Sequence, residues 1–417
     1  MPYLSVVLVP VASPLHDPKA VKAVWSKYLS LLKDVVDSVH ESLVTKVEEL
    51  KGVPEASAYV VAVLTGGSEE LVLELFRRFR KPLALVAHET QNSLAATLEV
   101  ASEVRYEGGS AEVFLLREGI DAELSPFIRA CKAVGELVGS KVLLIGEPSP
   151  WLVYSVRHMQ SLTDLLNLNL VKVGIDELIK LYEGVDGNEA LRIAEGVINE
   201  SLGIEGISKD DVIKAAKLYL ALKELMNSLE VKLMSIRCFD LLKYGVTACL
   251  GLSLLNNEGY VAACEGDLPT LITMAILKYL SGNPVFMGNI DWLSNNELLI
   301  AHCTVPTKLV ESFKLKTHFE SGISVGIEGY LRRGEVVTIA KLDVIKGVLR
   351  VAEGVVENEG PVSPYVCRTQ YLIRLGGSAR KLIEEPLGNH YALVKGSLRR
   401  ELSYVAKLLN LRFECIK

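Results

Sequence analysis

The sequence predicts an α/β protein: two Rossmann-like parallel-sheet α/β domains followed by a C-terminal antiparallel, barrel-like β domain. Three observations predict it. Strand-length apolar runs alternate with helix-spaced segments through the first two thirds of the chain. Polar, chemistry-bearing residues collect where those runs end, as they do in open parallel sheets. After Asp291 the texture changes to apolar–polar alternation with glycine at the turns, the pattern of antiparallel strands.

Residues 4–11 form a largely apolar run, as a strand buried on both faces requires. Helical spacing follows over 20–50, through Val21, Val24, Trp25, Tyr28, Leu31 and Val35. A strand at 58–64 ends in Thr65-Gly66-Gly67-Ser68 and leads into a helix over 71–79. The next strand, 82–87, ends in His88-Glu89-Thr90-Gln91-Asn92-Ser93. A helix at 94–103, a strand at 112–115 and a helix over 124–138 complete a first domain, 1–138. The alternation restarts with strands at 141–145, 169–173 and 232–236, giving a second domain over 139–285. A long segment of mixed texture runs to Asn227 within it. The third domain, 286–417, alternates over 324–331, 336–342 and 348–356 and returns to helical spacing at 398–409.

At 417 residues the chain exceeds what one core usually holds. Hydrophobic residues make up 49% and charged residues 23%, an ordinary globular balance. The net charge of −6 and the lack of a basic cluster argue against a nucleic-acid partner. The longest apolar runs are strand-length, so no membrane span is expected. The N-terminal apolar run lacks a preceding basic residue and a cleavage site, so it reads as a first strand and not as a signal peptide. Seven cysteines without a C-x-x-C pair suggest reduced thiols in a cytoplasm.

The informative stretch is 261–303, read as strand, helix, strand, loop, strand. Its first apolar run stops at Glu265-Gly266-Asp267, and Pro269 sits in the first turn of the helix beyond. A second strand, 285–290, ends at Asp291, and a third, 297–301, ends at His302. Oxygen and nitrogen ligands at strand ends become a hard-cation site if the fold brings those ends together. Taken singly, such carboxylates are more often caps and turns, and Asp267 reads simply as a helix N-cap. His390 stands directly before a strand, after Gly388-Asn389. Thr65-Gly66-Gly67-Ser68 lacks the lysine of a P-loop and reads as a tight turn. Cys264 and Cys303 alternate with Glu265 and His302 and are expected to face the core.

These segments resemble the L-fucose isomerase family, related to the L-arabinose isomerases. The resemblance is carried by Cys264-Glu265-Gly266-Asp267 with Pro269, Ser281-Gly282 with Pro284, the Asp291 loop and Gly388-Asn389-His390-Tyr391. Asn92-Ser93-Leu94-Ala95-Ala96, Arg237-Cys238-Phe239-Asp240 and Thr247-Ala248-Cys249 support it. The likeness is strongest over 232–304 and 386–396, and the chain is shorter than the bacterial fucose isomerases. It implies metal ligands at Glu265, Asp291 and His390, with Mn²⁺ or another divalent cation such as Mg²⁺. It implies an aldose–ketose isomerase acting on a free sugar through an enediol, with Glu265 and Asp291 as the acid–base pair. His302, Trp292, Asn389, His88 and Asn92 are expected to touch the substrate, the last two from a neighbouring subunit of a trimeric or hexameric homo-oligomer. Two readings compete: a non-catalytic sugar-binding or regulatory protein, and an epimerase or aldolase on the same three ligands.

Overall fold

The computed structural model describes residues 4–416. They form two compact units. One runs to Glu136 and includes Ser403–Asn410, and the other comprises Leu137–Leu402 with the chain from Leu411 onward.

The first unit is a five-stranded parallel sheet of order β2-β1-β3-β4-β5. Its strands are β1 (Val6–Val11), β2 (Ser38–Val39), β3 (Ala58–Val63), β4 (Leu83–Ala87) and β5 (Ala111–Leu115). β1, β3 and β4 are buried at every position. That is why they read as unbroken Val/Leu/Ala runs: helices cover both faces of the sheet. The helices are α1 (Pro18–Leu32), α2 (Glu69–Phe79), α3 (Ser93–Tyr106) and α4 (Ile120–Leu137). α1 starts where Asp17 accepts from the Lys19 amide and Pro18 takes the first position, which needs no donor.

The second unit holds a four-stranded parallel sheet, order β10-β9-β6-β7. Its strands are β6 (Lys141–Ile145), β7 (Asn169–Val173), β9 (Leu233–Ile236) and β10 (Val261–Cys264); the short β8 (Ile204–Glu205) pairs elsewhere. The helices are α5 (His158–Leu166), α6 (Ile175–Gly184), α7 (Gly187–Glu200), α8 (Lys209–Ser228), α9 (Cys249–Asn257) and α10 (Leu268–Ser281). Three of these, α6 to α8, occupy the segment of mixed texture. The order of the sheet reverses between β6 and β9, so their carboxyl ends open the crevice where such sheets take ligands.

The remaining strands are β11 (Phe286–Leu293), β12 (Glu297–His302), β13 (Ser312–Thr317), β14 (Val325–Tyr330), β15 (Val336–Asp343), β16 (Val348–Val356), β17 (Thr369–Leu375), β18 (His390–Lys395) and β19 (Arg412–Ile416). Short α11 (Lys381–Glu384) and α12 (Arg399–Leu408) interrupt them. The sequence β15-β18-β11-β12-β17-β16 is antiparallel throughout, and β16 pairs back with β15. The result is a closed six-strand barrel with β19 added parallel to β16. Closure removes the exposed edges an open sheet would present. β13 and β14 form a separate small sheet with β8. The architecture expected from the sequence, parallel α/β sheets and then an antiparallel barrel, is the architecture observed.

α10 positions the site. It is apolar on every side because it packs against both β10 and the barrel strands β15 and β18. Its N-terminus points back to the end of β10, so the β10–α10 turn meets the barrel there.

Candidate active site

Glu265 is the first residue after β10 and has a left-handed backbone, φ 65°. A non-glycine residue in that region is strained, and such strain is found where a side chain must be aimed. Gly266 follows at φ 72°, and a Cβ there would meet the Pro148 backbone at 2.7 Å. Only glycine fits, which fixes this turn against the loop after β6. The Ser149 amide donates to the Glu265 carbonyl at 2.8 Å, closing the same contact. Strand end, glycine and loop together present the buried Glu265 side chain to the barrel.

Three side chains converge there. Glu265 Oε1 lies 3.5 Å from His390 Nε2 and 3.8 Å from His302 Nε2. Glu265, His302 and His390 each offer one donor atom within 4.8 Å of the others, and all three are buried. His302 closes β12, and His390 opens β18, whose neighbour is β11. Among the described residues, the Nδ1 atom of His302 is buried with no hydrogen-bond partner. Ligands of one divalent cation at roughly 2.0–2.6 Å sit about 3–4 Å from one another, so this donor set fits such an ion. The set is carboxylate plus imidazoles without thiolate, which suits Mn²⁺ as well as zinc.

The surroundings orient the trio. The indole N–H of Trp151 donates to Glu265 Oε2 at 2.5 Å. Asp267 accepts the Thr270 amide at 2.9 Å on Oδ1, capping α10, and meets His390 Nδ1 at 2.9 Å on Oδ2. With Nδ1 engaged by a carboxylate, Nε2 of His390 is the nitrogen left to face Glu265. Burial opposes charge on Glu265, but the two histidines outweigh it and hold the carboxyl far below its usual range. Asp267 is likewise depressed, with Lys341 and His390 overcoming its complete burial. Burial alone would lower His390, yet the Asp267 and Glu265 carboxylates raise it to about 9. Without a cation, then, a proton on His390 balances the two carboxylates.

Of the residues singled out in the sequence, Glu265 and His390 come together and His302 joins them. Asp291 stands outside this trio. It does not end a strand, as the apolar run suggested, but lies inside β11, where the pairing with β12 shifts register between Ile290 and Trp292. A β-bulge of this kind re-aims the side chains around it. Partial burial of the Asp291 carboxyl is the main reason its pKa rises to about 6, with His390 opposing and Glu320 adding to the rise. Trp292 beside it is 48% exposed. Asn389 bonds Asn289 at 3.0 Å and approaches His390 Nε2 at 3.4 Å. His88 and Asn92 belong to the first unit, where His88 Nε2 bonds the Leu64 carbonyl at 2.9 Å. Asn92, at φ 58°, lines a cleft of about 450 Å³ with Ser13, His16 and Gly67.

Sequence reading missed the double duty of Asp267 and the contact from Trp151. A capping aspartate uses one oxygen for the helix; its second oxygen is free, and no local pattern says what it meets 123 residues away. Trp151 lay in a breaker-rich loop whose partner, Glu265, is supplied by another strand.

No family model matches the chain. Among curated proteins it is similar to the sulfoquinovose isomerase of Priestia aryabhattai, 22% identical over 444 residues covering 98% of each chain. The sulfoquinovose isomerase of Priestia megaterium matches equally. That of Alkalicoccus urumqiensis is 24% identical over 315 residues, 70% of this chain and 68% of its own. Fold, buried trio and near full-length likeness define the class: an enzyme, an isomerase that interconverts an aldose and a ketose. No helix among the described residues is long and apolar enough to cross a membrane.

Proposed function

We propose that this chain is a divalent-metal-dependent isomerase of free, open-chain sugars, similar to the L-fucose isomerases, working through an enediol. The observation that carries the reading is the convergence of Glu265, His302 and His390 on one point beside the β10–α10 turn. Manganese suits these donors better than magnesium, because two of the three are imidazoles, and a bound cation would polarise the sugar's C1 and C2 oxygens as a Lewis acid.

The protein's own groups divide the remaining work. Glu265 stays ionised and is fixed by Trp151, so it suits holding a cation better than cycling a proton at neutral pH. Asp291, with a pKa near 6, is matched to proton transfer: it takes the C2 proton of the aldose, exchanges it with solvent and delivers a proton to C1 to complete the ketose. The sequence reading gave both carboxyls the roles of ligand and acid–base partner; the division proposed here follows from their opposite pKa shifts. Trp151 and Trp292, each 48% exposed, offer apolar faces to a sugar ring or chain. Asn389 supplies an amide to a hydroxyl. His88 and Asn92 would contribute from a neighbouring subunit of a trimer or hexamer, and the enzyme would work in the cytoplasm.

The relatives' names suggest a sulfonated hexose as one candidate substrate, with L-fucose, D-arabinose and L-arabinose as the others. The test is ketose formation from this panel with Mn²⁺ present and after chelation. The reading expects one sugar to turn over with Mn²⁺ and chelation to stop it. Turnover indifferent to chelation would remove the metal from the account. Binding of a sugar without any turnover would favour a sugar-binding protein.

A further inference from the structure

A buried cation reaches the site from behind. Lys341 lies on β15 and is only 1% exposed. Its ammonium donates to Thr270 Oγ1 at 2.9 Å and stands 3.9 Å from Asp267 Oδ2. The Leu342 amide donates to Thr273 Oγ1 at 3.1 Å, fixing β15 against the first turns of α10. Asp343, fully buried two residues along the strand, is occupied by other partners: the Tyr154 hydroxyl at 2.8 Å, the Lys346 amide at 2.8 Å and His158 Nε2 at 3.8 Å. Lys341 is thus aligned with Asp267, and Asp267 is the carboxylate that engages His390.

A fully buried ammonium is costly unless its charge is matched. Here the cost has a use. Asp267 must satisfy the Thr270 amide and His390 at once, and Lys341 adds a second positive charge 3.9 Å from the oxygen that engages His390. We propose that Lys341 is a positioning residue for the metal site: by fixing Asp267 Oδ2, it fixes the acceptor for His390 Nδ1–H and so turns Nε2 toward Glu265. This rests on the metal reading above. Lys341 touches neither the cation nor the sugar; it acts on Asp267, by charge across 3.9 Å and by holding Thr270, whose amide Asp267 caps.

Acting through one partner makes the effect non-additive, which a double-mutant cycle detects. The variants are Lys341→Met, which keeps most of the side-chain volume, Asp267→Asn, which keeps a good helix cap, and the pair combined. The readout is Mn²⁺ affinity by titration, beside the melting temperature of the metal-free protein. Loss of an outer partner of a metal-binding histidine weakens binding about 10–100-fold. We expect about a tenfold loss in Lys341→Met, a similar or larger loss in Asp267→Asn, and no further loss in the double variant. Wild-type affinity in Lys341→Met, with only a lowered melting temperature, would assign Lys341 a purely structural role and overturn the proposal. So would losses that multiply in the double variant. If Lys341→Met does not fold, the double variant, which removes both buried charges together, is compared with Asp267→Asn: equal affinity supports the proposal and further loss overturns it. A wild type that binds no Mn²⁺, or a Glu265→Gln variant that binds it normally, defeats the metal reading itself and the proposal with it.

Discussion

Glu265→Gln is expected to lower isomerisation by at least about 10³-fold while the protein stays folded. The substitution is nearly isosteric, and glutamine can still accept the Trp151 indole N–H through its carbonyl oxygen. It removes the negative charge that both histidines face, so Mn²⁺ binding and turnover should be lost together. Asp291→Asn should behave differently. Asp291 lies outside the converging trio, so Mn²⁺ binding should persist while proton transfer fails. In the wild type the same group sets an acidic limb: activity should fall as pH drops through about 6, because a protonated Asp291 cannot accept the C2 proton. Equal loss of Mn²⁺ binding in both variants would place Asp291 among the ligands after all.

The second large effect is a pH-dependent stability that metal reverses. His390 titrates near 9 in the folded, metal-free chain against 6.5 in the unfolded one. A raised histidine stabilises fully below its unfolded pKa, and the gain disappears as pH rises through its folded pKa. Between pH 6.5 and about 9 the metal-free protein should lose on the order of 3 kcal/mol, roughly 5–10 °C in the melting of the second unit. Glu265 and Asp267 act with the opposite sign: their depressed pKa values stabilise above the ordinary carboxylate range, and that gain is lost only in strong acid. A cation must displace the His390 proton, so Mn²⁺ affinity should climb with pH up to about 9 and restore the lost stability there. Calorimetry at pH 6.5 and 9.5, with and without Mn²⁺, reads both arms. A metal-free melting temperature unchanged across that range would contradict the picture of a proton standing in for the cation.

Much of the fold was legible because its signals are local. Unbroken Val/Leu runs gave the buried parallel strands, alternation gave the barrel strands, and the Ser281-Gly282 stop gave the end of α10. The ring closure between β15 and β16 and the β18–β11 pairing are long-range and left no local trace. The site divides along the same line. Glu265 and His390 were named because they sit at turns between apolar runs. The bulge that sets Asp291 inside a strand comes from a pairing mismatch with β12, which the sequence of β11 alone does not encode. His302 could have been ranked higher: a histidine closing an apolar strand, in a segment that also carries Glu265 and Asp291, is the pattern of a third ligand. Lys341 gave no signal at all, since a lysine within an alternating strand reads as a solvated face until the barrel closes over it.

The central claim is that a proton leaves C2 to a protein carboxylate. It is tested most directly by incubating the enzyme with Mn²⁺ and its aldose in deuterated water and following the C2 hydrogen by NMR. The account predicts that solvent deuterium appears at the transferred position of the recovered sugars and that Glu265→Gln abolishes the exchange. Ketose formed with the original hydrogen retained in full at C1 would mean direct hydride transfer and would contradict it.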